Sequence, residues 1–334
     1  MLSESPTFEA RRGPRTAVIG AGAIGSTLGG LLAKTGRDVT LIARGDHLAA
    51  LRQSGLVLEG PDGADNVPVN ATDDPAAVGP CDVAVFAVKA HQLADAAEMA
   101  RPLLAPDTIV VCAINGLPWW YFRGHGGPQE GLRLNSVDPD HRIMAALGGQ
   151  PNVGCVVYCA AERPAPGHAR YGGRARFILG APETGARPAV DRAVEALAVP
   201  GVEAPVIDDI RQAVWIKLWG NAVLNPVTAL TGATVGEAAS SAEFAPVMQA
   251  LFEEVADVFT ALGIAAEQTA QARIAGAARL TGHKSSMLQD IEAGRPIELD
   301  EMVAVIVELA ERLGVPAPQF TTVLELLRLK VARQ

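Results

Sequence analysis

Residues 16–25 read TAVIGAGAIG: a short apolar run, then Gly20, Gly22 and Gly25 in close succession. A glycine inside a helix or strand costs about 1 kcal/mol relative to alanine, so three together imply a turn or a close approach. The next segment, IGSTLGGLLAKTG (24–36), has helical spacing and stops at Gly36. The glycines therefore lie between a strand and a helix, the context that gives G-x-G-x-x-G its meaning. Gly20 would permit the tight turn, Gly22 would let a pyrophosphate approach the backbone, and Gly25 would let helix and strand pack closely. The helix start, Ala23-Ile24-Gly25, offers unpaired N–H groups and a positive partial charge to that anion.

Outward from this turn, strand-like and helix-like segments alternate. DVTLIAR (38–44), DVAVFAVK (82–89) and TIVVCAIN (108–115) read as strands, and HLAALRQSG (47–55) and HQLADAAEMARPLL (91–104) as helices. LVLEG (56–60) begins a small excursion between them. This alternation predicts an α/β fold with a Rossmann-type doubly wound parallel sheet. From Pro118 to about Asp140 the pattern breaks into PWWYFRGHGGPQEGLRLNSVDPD, read as a long loop that could act as a lid or face substrate. Strands resume at NVGCVVYCAAE (152–162) and ARFILG (175–180), and after Asp208 the periodicity is helical throughout. The expected organisation is a loose tail over residues 1–14, a dinucleotide-binding domain over 15–207 and a C-terminal all-helical domain over 208–334.

Composition narrows the function. Hydrophobic residues make up 49% and charged residues 19% of the 334, typical of a folded globular chain. A net charge of −9 without a long basic run disfavours nucleic acid as a partner. Cys81, Cys112, Cys155 and Cys159 form no CxxC pair and no zinc set with the scattered histidines, so no metal is expected. They read as reduced core residues of a cytoplasmic protein, with no signal segment and no apolar stretch long enough for a membrane.

The second strand ends at Ala43-Arg44, where a site for NAD usually places an acid against the ribose 2′-hydroxyl. With the acid absent and Arg44 present, the cofactor expected is NADP, its 2′-phosphate paired with the guanidinium. Lys89 and Asn115 close the third and fourth strands, at the carboxyl edge where open parallel sheets bind ligands. Either could instead be a snorkelling lysine or a turn asparagine. In IRQAVWIKLWGNAVLNP (210–226), Lys217, Asn221 and Asn225 recur at i, i+4 and i+8 among tryptophans and aliphatics. Such a stripe needs partners: it is either a buried polar network or the wall of a polar cavity. A lysine so placed would have a lowered pKa and could donate a proton. Asp208 or Asp209 is expected to cap this helix and Pro226 to end or kink it. In HKSSMLQDIEAGRPIELD (283–300), Ser285 or Ser286 reads as an N-cap, and most of the acids as a solvated face, with nothing in the pattern to single out Glu298.

These motifs, GAGAIG, VKAHQ (88–92), ING (114–116), KLWGNAVLNPVTALTG (217–232) and SSMLQDIEAGRPIELD (285–300), resemble the ketopantoate reductase family over nearly the whole chain. The resemblance implies a Rossmann domain followed by a helical domain like that of 6-phosphogluconate dehydrogenase, with the site in the cleft between them. It implies NADPH-dependent reduction of 2-dehydropantoate to pantoate, in pantothenate biosynthesis, with Lys217 as general acid and Glu298 as the carboxylate that holds the substrate hydroxyl. Asn221, Asn225 and Ser286 match substrate contacts, Lys89 and Asn115 match cofactor-side and active-site polar groups, and Arg44 matches the 2′-phosphate reader. Reduction of another small 2-oxo acid and a non-catalytic NADP(H) sensor are the alternatives, and a homodimer is left open. INGLPWWYF (114–122) departs from the family pattern: no glutamine precedes Asn115, and Pro118 replaces a second glycine. The aromatics after it are expected to reshape the acyl pocket.

Overall fold

The computed structural model describes residues 13–333, so most of the expected tail, residues 1–12, lies outside the described residues. The first part of the chain runs β1 (Thr16–Ile19), α1 (Ala23–Lys34), β2 (Val39–Ile42), α2 (Gly45–Ser54), β3 (Leu56–Gly60), β4 (Gly63–Val67) and β5 (Asn70–Thr72). It continues with α3 (Pro75–Val78), β6 (Val83–Phe86), α4 (Leu93–Met99), β7 (Ile109–Cys112), α5 (Arg142–Leu147), β8 (Asn152–Glu162), β9 (His168–Gly180), α6 (Arg187–Leu197) and β10 (Val202–Glu203). Helices alone follow: α7 (Ile210–Thr231), α8 (Val235–Ser240), α9 (Ala245–Ala261), α10 (Ala270–Ala278), α11 (Ser286–Glu292), α12 (Val305–Leu313) and α13 (Pro318–Val331). A π-helical turn over Asp300–Ala304 leads into α12. Among the described residues, no helix is long and apolar enough to cross a membrane.

The sheet order is β4-β3-β9-β8-β7-β6-β1-β2-β5, with β10 beside β9. From β5 to β8 every pairing is parallel. Strands β1, β6 and β7 are buried at every position, as strands covered on both faces must be. The sheet is mixed, however. β8 and β9 pair antiparallel, because Arg163–Gly167 between them is too short to carry a parallel crossover. The excursion begun at Leu56 is a hairpin, β3–β4, whose first strand pairs parallel with β9. These additions curl the sheet into a half-barrel around α1. Its residues Gly25–Leu32 are buried without a break, and a methyl group on Gly30 would meet Leu56 of β3.

One apolar cluster fills the half-barrel around α1; the other lies on the opposite face of the sheet and continues without interruption into the helical part. Residues 118–140 take part in that second cluster. Trp120 and Tyr121 are each 1% exposed, and Tyr121 meets Trp215 of α7 edge-on, with ring centroids 5.4 Å apart. The four aromatics are turned into the core, not held out over a cleft as a lid would be. Pro226 does not end α7, which continues to Thr231. An interior proline costs about 3 kcal/mol, and burial of Pro226 within a long packed helix outweighs that cost.

Candidate functional site

The glycine turn after β1 has the shape the sequence implied. Gly20 has φ +95°, a conformation that L side chains rarely adopt. A methyl group on Gly25 would overlap the Gly20 carbonyl oxygen, so the start of α1 presses directly on the turn. At Gly22 a methyl would meet only the Ala87 carbonyl, 3.9 Å away, and would fill the open approach to the turn. Helix α1 has no side-chain cap and no acid in its first turn. Its first N–H groups, at Ala23 and Ile24 among them, thus face no competing carboxylate, and the cradle fits a pyrophosphate. Arg44, the N-cap residue of α2, is exposed, and its side chain makes no hydrogen bond or ion pair among the described residues.

The polar residues at the strand ends and on α7 meet in a single chain of contacts. Lys217 Nζ donates to Asn115 Oδ1 at 2.8 Å and to the Val157 carbonyl at 2.5 Å. Asn115 Nδ2 donates to Glu298 Oε2 at 3.4 Å. Glu298 is 4% exposed; its Oε1 accepts the Ala90 N–H at 3.0 Å, and its Oε2 lies 3.7 Å from Lys89 Nζ. A cation, an amide, a carboxylate and a second cation therefore alternate across the junction of sheet and helices. Burial pushes the Lys217 ammonium down to about 8, with Glu298 among the groups that oppose the shift. Its ammonium also lies 5.5 Å from the Tyr158 ring centroid.

The stripe on α7 divides. Asn225 is buried, and its Nδ2 contacts Met302 Sδ at 3.4 Å. Asn221 is half-buried, and its side chain has no hydrogen bond among the described residues, so its amide is free for another partner. Asp209 caps α7 by accepting the Gln212 N–H at 2.9 Å. Of the two serines, Ser285 is the N-cap of α11; its hydroxyl accepts the Leu288 N–H and pairs with Thr228 Oγ1 of α7 at 2.6 Å. Ser286, the first residue of α11, is exposed, with its hydroxyl unbonded among the described residues.

Among the acids of residues 283–300, Asp290 and Glu298 are the buried exceptions to the solvated face. Asp290 is 4% exposed and binds Lys89 Nζ at 2.5 Å and Arg295 Nε at 2.9 Å. Glu301, one residue beyond the end of that stretch, is also buried, and burial pushes its carboxyl up to about 7. Its backbone carbonyl accepts the Leu117 N–H at 3.1 Å. A methyl on Gly116, at φ +86°, would stand 2.6 Å from that carbonyl oxygen. Glycine is therefore required immediately after Asn115.

Two family models match the chain: "Ketopantoate reductase PanE/ApbA" over residues 16–118 and "Ketopantoate reductase PanE/ApbA C terminal" over residues 209–331. A protein of Mesorhizobium japonicum named 2-dehydropantoate 2-reductase is 42% identical over 93% of this chain and 96% of its own. The crystal structure of a provisionally named ketopantoate reductase from Ralstonia solanacearum MolK2 is 39% identical, covers 95% of this chain and 97% of its own, and superposes with a TM-score of 0.89. D-mandelate dehydrogenase, in a ternary structure with NADH and anilino(oxo)acetate, covers 95% of this chain and 98% of its own; at 21% identity and a TM-score of 0.81 it shares the fold.

Proposed function

The chain belongs to the ketopantoate reductase family, and from that premise we propose that it reduces 2-dehydropantoate to pantoate with NADPH, a step of pantothenate biosynthesis. The observation that carries the reading is the Lys217 ammonium, held by Asn115 and the Val157 carbonyl and pushed down to about 8.

When bound, NADPH supplies the hydride. The chain's residues do the rest. The bare N-terminus of α1 and the open turn at Gly22 take the pyrophosphate, and the unpaired Arg44 takes the 2′-phosphate. Lys217 directs its ammonium at the ketone oxygen, offsets the negative charge that grows there, and gives up a proton from Nζ. A proton affinity near neutrality suits that donation better than that of a free lysine. Glu298, fixed by the Ala90 N–H and by Asn115, accepts the substrate hydroxyl and keeps Asn115 turned towards Lys217. Asn221 and Ser286 have side chains free to hold the substrate's oxygens, and Asn225 backs the stripe from within the core.

The test is to mix the purified protein with NADPH or NADH and a panel of 2-oxo acids, following nicotinamide absorbance. Turnover of 2-dehydropantoate with NADPH preferred is the expected result. Turnover of other 2-oxo acids but not this one would replace the substrate, and no turnover with any acid would leave the protein a binder without chemistry. Arg44→Asp should erode the preference for NADPH over NADH by roughly tenfold or more, the scale of a lost charge-assisted contact.

A further inference from the structure

His47, in the first turn of α2, is 5% exposed and has no part in the chemistry above. Its two ring nitrogens have distinct partners. Nδ1 accepts the Gly167 N–H at 2.9 Å. The ring proton therefore sits on Nε2, which donates to Ser26 Oγ at 3.0 Å. The Ser26 hydroxyl in turn donates to the Ala21 carbonyl at 3.0 Å. Every donor and acceptor in this line is used once, so the direction of each bond is fixed. Burial, with Arg163 nearby, holds the imidazole down to about 4, so the neutral tautomer that the line requires is the one present.

The Ala21 carbonyl and the Gly22 N–H belong to one planar trans peptide, so they point in opposite directions. Anchoring the oxygen on Ser26 therefore aims the Gly22 N–H away from it, and glycine's freedom of rotation makes such an anchor necessary. The other end of the line is also tied down. Gly167 lies in the turn between β8 and β9, its carbonyl accepts the Val57 N–H at 2.8 Å, and a methyl there would stand 2.9 Å from Ala50 of α2.

We infer that His47 and Ser26 are positioning residues for the cofactor: together they orient the Ala21–Gly22 peptide of the glycine turn and lock it to the β8–β9 turn. The inference rests on the NADPH reading given above. His47→Asn keeps an acceptor for Gly167 but is too short to reach Ser26, whereas His47→Gln keeps a donor for Ser26. Ser26→Ala removes one oxygen and breaks the line at its centre.

The experiment pairs NADPH titration, followed by nucleotide fluorescence, with hydrogen exchange over residues 20–26 of the cofactor-free protein. Thermal melting confirms that each variant is folded. Ser26→Ala and His47→Asn should weaken NADPH binding about tenfold, the scale of one well-placed hydrogen bond, and should speed exchange in the turn. The KM for NADPH should rise by more than kcat falls, and His47→Gln should lie closer to the wild type than His47→Asn. Wild-type affinity and wild-type exchange in both Ser26→Ala and His47→Asn would overturn the inference. If the wild-type protein takes up no NADPH, the cofactor reading falls instead. The cofactor role then falls with that reading, and exchange decides the orienting of the turn on its own, unchanged protection overturning it and faster exchange supporting it.

Discussion

At Lys217 two opposing influences act on one nitrogen. Burial expels the proton, Glu298 retains it, and burial dominates. A general acid works only while protonated, so kcat/KM for reduction should be flat below about pH 8 and fall above it. Lys217→Ala should lower kcat by about a hundredfold or more and abolish that alkaline limb, as a pH–rate profile of both proteins will show. Glu301 is the complementary case. Its carboxyl, ordinarily at 4.5, titrates near 7 when folded, so the native state holds a proton that the unfolded chain has released. Its contribution to stability is complete below about pH 4.5 and is lost as pH rises through 7. Glu301→Gln removes the penalty: stability from denaturant melts should coincide with the wild type near pH 4 and exceed it at pH 8 by roughly 3 kcal/mol, the scale of such a shift.

At the scale of the element, residues 118–140 show how an irregular segment is held. Arg211 of α7 donates to the Tyr121 and Arg123 carbonyls at 2.8 and 2.6 Å. Glu308 of α12 accepts the Asn135 and Ser136 N–H groups and the Ser136 hydroxyl, at 3.0, 2.9 and 2.7 Å. Both clamps reach across from the helical part, and these contacts pull the Glu308 carboxyl below its ordinary value although burial opposes them. Glu308→Ala should cost about 1–3 kcal/mol, read as a shift in denaturant midpoint, and should open the segment to limited proteolysis between residues 123 and 133. The sequence marked this stretch as irregular but not as a brace. Its aromatics have no periodicity, and what covers them, Trp215 on α7, lies far along the chain. Asp290 and Glu301 were illegible for the same reason: a charged residue reads as surface until Lys89 or Gly116, each supplied by a distant strand end, is brought against it. What was legible was local. The glycine turn and the placing of Lys217 among large apolar neighbours each lie within a single short window, and the alternation of strands and helices is a succession of such windows.

At the scale of the whole molecule, one apolar cluster links the outer face of the sheet, the aromatic segment and the helices. Trp215 is fully buried within it. An interface of that kind resembles the interior of a domain more than a contact between separable ones, so the two parts should unfold together. A single calorimetric transition, with equal calorimetric and van't Hoff enthalpies, is the expected result; two resolved transitions would mean that the helical part stands alone. No such continuity could be read from the chain in advance, because burial patterns along one helix do not say which neighbour completes them.

The half-barrel also imposes an order on synthesis. Val57 pairs with His168, so β3 and its hairpin partner β4 leave the ribosome long before the neighbour on the other side, β9, exists. Through that interval α1 lacks one wall of its enclosure, and Leu56 and Leu58, buried in the finished protein, have α1 and β4 beside them but not the strand that completes their cover. A nascent chain halted before β9 is thus a natural client for a chaperone, and the β8–β9 hairpin is the piece whose arrival ends that exposure.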